Sequence, residues 1–247
     1  MSNMKRVTYS VRRHEEKGPD SLLTEQGRQR ASQLGKRLRW EHPSIEMYSS
    51  PAERAVQTGK YILSGYKSDR DILPAHILRP LDPPEPEGLT DRDEIIQYWL
   101  DNEWKNQDGN YGDMYTAGRN IIIHLASVMS IEGKEDNTRI EGISHAPLVE
   151  AGLVMLTGEG DVRRLGGSFR PGESLDLIVD CDGDEIKSMK TVFRGAEQSV
   201  DGVIPTVNEC RKRMLRWHNP VEYVNNMYGC HPGESDREYF SHVFGME

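Results

Sequence analysis

Apolar and polar positions alternate from Val7 through Tyr9 to Val11, and the run then breaks into Arg12, Arg13, His14 and mixed charge as far as Lys17. Period-two alternation predicts a strand that climbs through a core and delivers Arg13 and His14 at its end. The same alternation sets Arg12 on the other face, as an outside or supporting charge. After a polar loop, Thr24 has the place of a helix N-cap, with Glu25 and Gln26 in a first turn where the dipole favours acceptors. Ala31, Leu34 and Leu38 recur on one face of that helix, and His42-Pro43 stops it. Ile45 to Ser50 alternates as a short strand and runs directly into Ser50-Pro51-Ala52-Glu53. That tetrapeptide has the form of a capping box with proline at the first helical position, which puts Arg54 in the first turn of a second helix.

Further along, residues 71–78 read as a third strand. The proline-rich run 80–88 is a stiff loop carrying Asp82, Glu85 and Glu87, because prolines remove donors and fix φ. Residues 91–131 form two helices around a loop at 106–110, with Tyr98, Trp99, Trp104, Tyr111 and Tyr115 concentrated there. Thr138 to His145 repeats the opening device, a strand with a histidine at its end. Ala146-Pro147 starts a nearly continuous apolar helix that Gly158 ends. Strands follow at 174–180 and, more weakly, at 186–193, on either side of the turn Asp182-Gly183-Asp184. In the tail, Cys210, Met214 and Trp217 share one face of a short helix whose other face is basic. Tyr239, Phe240, Val243 and Phe244 make a last apolar patch, which closes the core or meets a second copy of the chain. Strands alternating with helices define an α/β fold with a mainly parallel sheet. The expected organisation is a single domain over 1–247 with a helical insertion at about 91–131 and a C-terminal extension at about 200–247.

Composition narrows the function classes. Hydrophobic residues at 36% and charged residues at 29% describe a soluble globular chain, and no apolar run is long enough to span a bilayer. The amino terminus leads straight into the first strand without a signal-peptide core, so a cytoplasmic protein with no membrane partner is expected. Three widely spaced cysteines, Cys181, Cys210 and Cys230, supply neither a disulfide framework nor a CxxC metal pair. A net charge of −9 argues against nucleic acid as a partner. It leaves room for a small phosphorylated substrate, because a few arginines focused in a cleft outweigh the global field.

In an α/β sheet, ligands sit at the carboxyl ends of the strands. Arg13, His14, Arg54 and His145 all come from such ends or from the helix starts just after them, so they should share one rim. Two arginines, two histidines and a helix N-terminus around one spot would bind a dianionic phosphoryl group.

Four ordered motifs sharpen this: Arg13-His14-Glu15-Glu16-Lys17, the helix start Leu23-Thr24-Glu25-Gln26-Gly27, the run Ser49 to Thr58, and Ser144-His145. Together they resemble the histidine phosphatase superfamily, which includes the phosphoglycerate mutases and many broad phosphatases. The resemblance is close over the first sixty or so residues and returns around Gly142 to Glu150. It implies a three-layer α/β/α sandwich and a metal-independent phosphatase, with no cofactor, working through a phosphohistidine on His14. Arg13, Arg54 and His145 would contact the equatorial phosphoryl oxygens, and His145 would do so as the imidazolium that a bound dianion favours. The preferred general acid would be Glu85, with Glu87, Asp82 or none of the three as alternatives, because prolines break the family's usual pattern in this loop. Glu15 stands where the family usually carries a small residue; a carboxylate there would disfavour phosphate or order Lys17. Hydrolysis is preferred over a mutase outcome and over a silent member that binds a phosphorylated ligand or protein.

Overall fold

The computed structural model describes residues 4–80, 83, 86–102, 104–105, 111–112, 114–131, 134–183, 185–215, 220–221 and 224. Its first half alternates strand and helix: β1 (Met4–Arg13), α1 (Glu25–Glu41), β2 (Ile45–Ser49), α2 (Glu53–Tyr66) and β3 (Ile72–Pro74). Next come α3 (Arg92–Asp101), the two-residue strands β4 (Trp104–Lys105) and β5 (Tyr111–Gly112), and α4 (Met114–Met129). Then follow β6 (Thr138–Ser144), α5 (Leu148–Thr157), β7 (Ser174–Asp182), β8 (Glu185–Phe193), β9 (Ala196–Ser199) and α6 (Ile204–Met214).

Seven strands form one sheet in the order β3-β2-β6-β1-β7-β8-β9. The neighbours β3, β2, β6 and β1 run parallel, as chain that returns through α1, α2 and α4 requires. The other side, β7 to β9, is an antiparallel meander joined by tight turns. This is the expected α/β architecture, parallel in its core. Helices cover both faces: Ala31, Leu38, Ala55 and Ile62 of α1 and α2 pack with Met47 and Ile143, while α4, α5 and α6 close over Val7, Tyr9 and Val11. The helix α4 is thus a full member of one layer, with Ile121, Ile122 and Leu125 fully buried. Among the described residues, no helix is long and apolar enough to cross a membrane.

Local signals behave as physical chemistry asks in most places. The Thr24 side chain accepts from the Gly27 N–H at 3.0 Å, and Gly158 ends α5 at φ 71°. Helices α1 and α2 touch through their backbones, since a Cβ at Gly35 would collide with the Ile62 carbonyl and one at Gly65 with that of Ser32. Two expectations are corrected and one strand is added. The third strand covers only Ile72–Pro74, because Pro74 offers no N–H to continue the ladder, and His76–Leu78 becomes a 3₁₀ turn instead. The strand β9, whose Ala196-Glu197-Gln198-Ser199 is exposed throughout, has no hydrophobic pattern to announce it. Helix α2 begins at Glu53 with Ala52 at its cap and no side-chain capping bond, so the Ser50 box does not form.

Candidate active site

Parallel register brings the strand exits together. Arg13 pairs with Ser144 across β1 and β6, and Ser49 with Ile143 across β2 and β6. The zipper continues one residue beyond each strand, where the His14 N–H donates to the Ser144 carbonyl and the Ser50 N–H to that of Ile143, both at 2.9 Å. His14, Ser50 and His145 therefore leave the sheet side by side.

The two imidazoles face each other with centroids 5.0 Å apart, inclined at 58°. Nδ1–H of His14 donates to the Glu15 carbonyl at 2.6 Å, and a carbonyl can only accept, so this bond fixes the tautomer. Nε2 then carries the lone pair, and it accepts from Nε–H of Arg54 at 3.0 Å. Burial, followed by the positive charges of Arg54 and Arg13, pushes the His14 pKa down to about 4, so the ring is neutral near pH 7. His145 is depressed further, to about 2, by burial and then by His14 and the same arginines. Its Nε2 lies 2.9 Å from the Ser50 hydroxyl, and its Nδ1 is buried with no hydrogen-bond partner among the described residues. Ser50, which in sequence resembles a helix cap, sets its hydroxyl against this histidine while accepting from the Ala52 N–H at 3.3 Å.

Arg13 projects from the same rim. Its Nη1 donates to the Phe169 carbonyl at 2.5 Å, while burial and the nearby Arg92 lower its pKa to about 10, which still leaves it charged. The loop from Gly166 to Glu173 straps this corner down. The Gly172 N–H is shared between the Arg13 and His14 carbonyls at 3.1 and 3.3 Å, and the Arg13 N–H donates to the Glu173 carbonyl at 2.9 Å. From the β8–β9 turn, the Arg194 guanidinium donates to the carbonyls of Gly166 and Ser168, and it pairs with Glu173 at 2.7 Å.

Glu15 pairs with Arg30 of α1 rather than ordering Lys17. Its buried carboxylate turns back to Arg30 at 3.1 Å and lies against Gly172, whose missing Cβ makes the space at φ 81°. Of the two expectations for Arg12, a supporting charge holds and an outside one does not: it is buried. Its Nε and Nη2 fork onto Glu141 at 2.9 and 3.0 Å, and Nη1 donates to the Gly172 carbonyl at 2.5 Å. Arg139 takes the other side of Glu141 at 2.7 Å and reaches Asp176 at 3.2 Å. Both faces of the sheet are covered here, so the residue opposite the apolar face is interred as well, and it is tolerated because every charge is matched.

The four residues expected to converge, Arg13, His14, Arg54 and His145, do so. The acid candidates do not complete the picture: Glu87 is exposed on its loop, and Glu85 and Asp82 lie outside the described residues.

An α/β protein with two arginines and two facing histidines at the carboxyl rim of its parallel strands has the make-up of a phosphoryl-group site. Residues 7–120 match the family model of the histidine phosphatase superfamily (branch 1), the same stretch that carries Arg13, His14 and Arg54. Solved structures share the fold. The mycobacterial glucosyl-3-phosphoglycerate phosphatase is 16% identical with a TM-score of 0.55, the alignment covering 78% of this chain and 100% of that one. A phosphoglycerate mutase from Bacillus anthracis, also 16% identical at 0.55, covers 85% and 98%. Bacillus stearothermophilus YhfR is 21% identical at 0.52, over 76% and 96%. No curated protein matches the chain by sequence.

Proposed function

We propose that this protein is a phosphatase that hydrolyses a small phosphorylated substrate through a phosphohistidine on His14. The observation that carries this reading is the fixed His14 tautomer: Nδ1–H is held by the Glu15 carbonyl, so Nε2 is unprotonated and faces Arg54, whose Nε–H it accepts until a phosphoryl group takes that donor. A nucleophilic imidazole must be neutral and must present one bare nitrogen, and this one does both. The mycobacterial neighbour is itself a phosphatase, and that and the family match support the same reading.

In this reading, Nε2 attacks phosphorus in line and forms the N–P bond as the ester P–O bond breaks. The leaving oxygen takes a proton from an acid, a role assigned to Glu85 as the sequence suggests. Arg13 and Arg54 offset charge on the equatorial oxygens. Burial and then the positive neighbours depress His145, and a bound dianion favours its imidazolium, the form in which the ring donates to phosphate. Water then attacks phosphorus and returns a proton to the Glu85 carboxylate, the N–P bond breaks with its electron pair going back to Nε2, and inorganic phosphate leaves.

The test offers p-nitrophenyl phosphate to the wild type and to His14→Ala. Turnover with an acid-labile phosphoenzyme, both lost in the variant, is the expected result. Absence of both from the wild type would overturn the proposal. Phosphate passing between positions of a sugar acid without release would replace hydrolase by mutase.

A further inference from the structure

Glu150 has no part in the reaction just described, yet it is fully buried at the base of the site. It lies in the first turn of α5, beyond His145. Oε1 accepts from the Phe169 N–H at 3.1 Å and lies 3.9 Å from Nη2 of Arg92. Oε2 is buried with no hydrogen-bond partner among the described residues. A carboxylate placed this way is expensive, and packing alone would be served better by an apolar side chain.

What the carboxylate touches explains its presence. Phe169 is held at both ends of its polar backbone: its N–H by Glu150, its carbonyl by Nη1 of Arg13. Its ring is buried and stacked on Phe193 with centroids 4.3 Å apart, so the residue cannot rotate to follow a shifted partner. Arg13 has little else to aim it, since its Nε is buried with no partner among the described residues. The charged groups facing Glu150 are Arg92 from α3 and Arg13 from β1, which repel one another with Glu150 beside them.

We infer that Glu150 is a positioning residue for the phosphate clamp: through Phe169 it aims the Arg13 guanidinium at the phosphoryl seat. The inference rests on reading Arg13, Arg54 and both histidines as that seat. It assigns Glu150 no contact with substrate and no proton in the reaction.

Binding of inorganic phosphate to the full chain, measured by calorimetry, provides the test without relying on turnover. Glu150→Ala should weaken binding by about tenfold, and Arg13→Ala by at least as much. The double variant should bind within about twofold of Arg13→Ala, because a residue acting through Arg13 has nothing left to act on. Glu150→Gln keeps an acceptor for the Phe169 N–H and should recover part of the loss. If Glu150→Ala does not fold, Glu150→Met fills the space without an acceptor and carries the same comparison. Multiplying losses in the double variant, or wild-type affinity in Glu150→Ala, would overturn the inference while leaving the phosphatase reading intact. A wild type that binds no phosphate would remove both.

Discussion

Mild acid should destabilise this protein through three histidines buried as neutral rings. Burial and nearby cations set His14 at about 4, burial alone sets His124 at about 3, and burial with His14 and the arginines sets His145 at about 2. In the unfolded chain each titrates near 6.5. Above that value both states are neutral and the rings contribute nothing to the pH dependence. Below it the unfolded state binds up to three more protons than the native state, so stability falls as pH falls, until the native values are reached. Between pH 7.5 and 5.5 each ring costs about 1.4 kcal/mol, about 4 kcal/mol together, against a typical total of about 5–15 kcal/mol. Carboxylates do not mimic this. Glu141 and Asp176 are depressed by their arginines and lose their contribution only in stronger acid, and Glu150, raised by burial, acts in the opposite sense as a single group. Urea unfolding at pH 7.5, 6.5 and 5.5 measures the slope. His124→Gln, which removes the ring that bonds Tyr9 at 2.7 Å, should reduce the slope by about one third. Saturating phosphate should flatten it as well, by raising His145. Equal stability at pH 7.5 and 5.5 would refute the argument, as would imidazole resonances of these rings that titrate near 6.5 in the folded protein.

Three other perturbations have clear expected outcomes. Glu141→Ala leaves Arg12 and Arg139 buried without their shared carboxylate, and should cost about 3–5 kcal/mol by urea unfolding. Gly35→Ala drives a methyl group into the Ile62 carbonyl where α1 crosses α2, and should cost more than about 2 kcal/mol in the same assay, with Gly65→Ala behaving alike. Ser50→Ala removes the hydroxyl 2.9 Å from His145 and should lower kcat/KM for an aryl phosphate about tenfold, while stability changes by only about 1 kcal/mol.

The convergence of Arg13, His14, Arg54 and His145 is legible in the chain because strand ends announce themselves: an apolar alternation stops and a polar residue follows. Their supports are not legible in that way. Ser50 satisfies the local pattern of a helix cap, and only the arrival of β6 from far along the chain gives its hydroxyl a better partner. Alternation rightly sets Arg12 opposite Val11, but it cannot say that this face is closed too, nor that Glu141 waits there. Glu150 sits unmarked in an apolar helix, where burial is readable and the partner, Phe169 on a distant loop, is not. Glu15 departs from the family's pattern, and its accommodation depends on a glycine at 172 and an arginine at 30 that no local window contains.

The strap from Gly166 to Glu173 grips the Arg13–His14 corner mainly with its own main chain: the N–H of Gly172 and the carbonyls of Phe169, Gly172 and Glu173 meet β1, and those of Gly166 and Ser168 meet Arg194. Main-chain groups are common to every residue type, so what this segment encodes is length and curvature more than chemistry. Exposed positions such as Arg170 are free to drift over evolutionary time without loosening His14. Insertion or deletion of one residue would slide the whole row of donors and acceptors out of phase. In this loop, the ruler matters and the lettering does not.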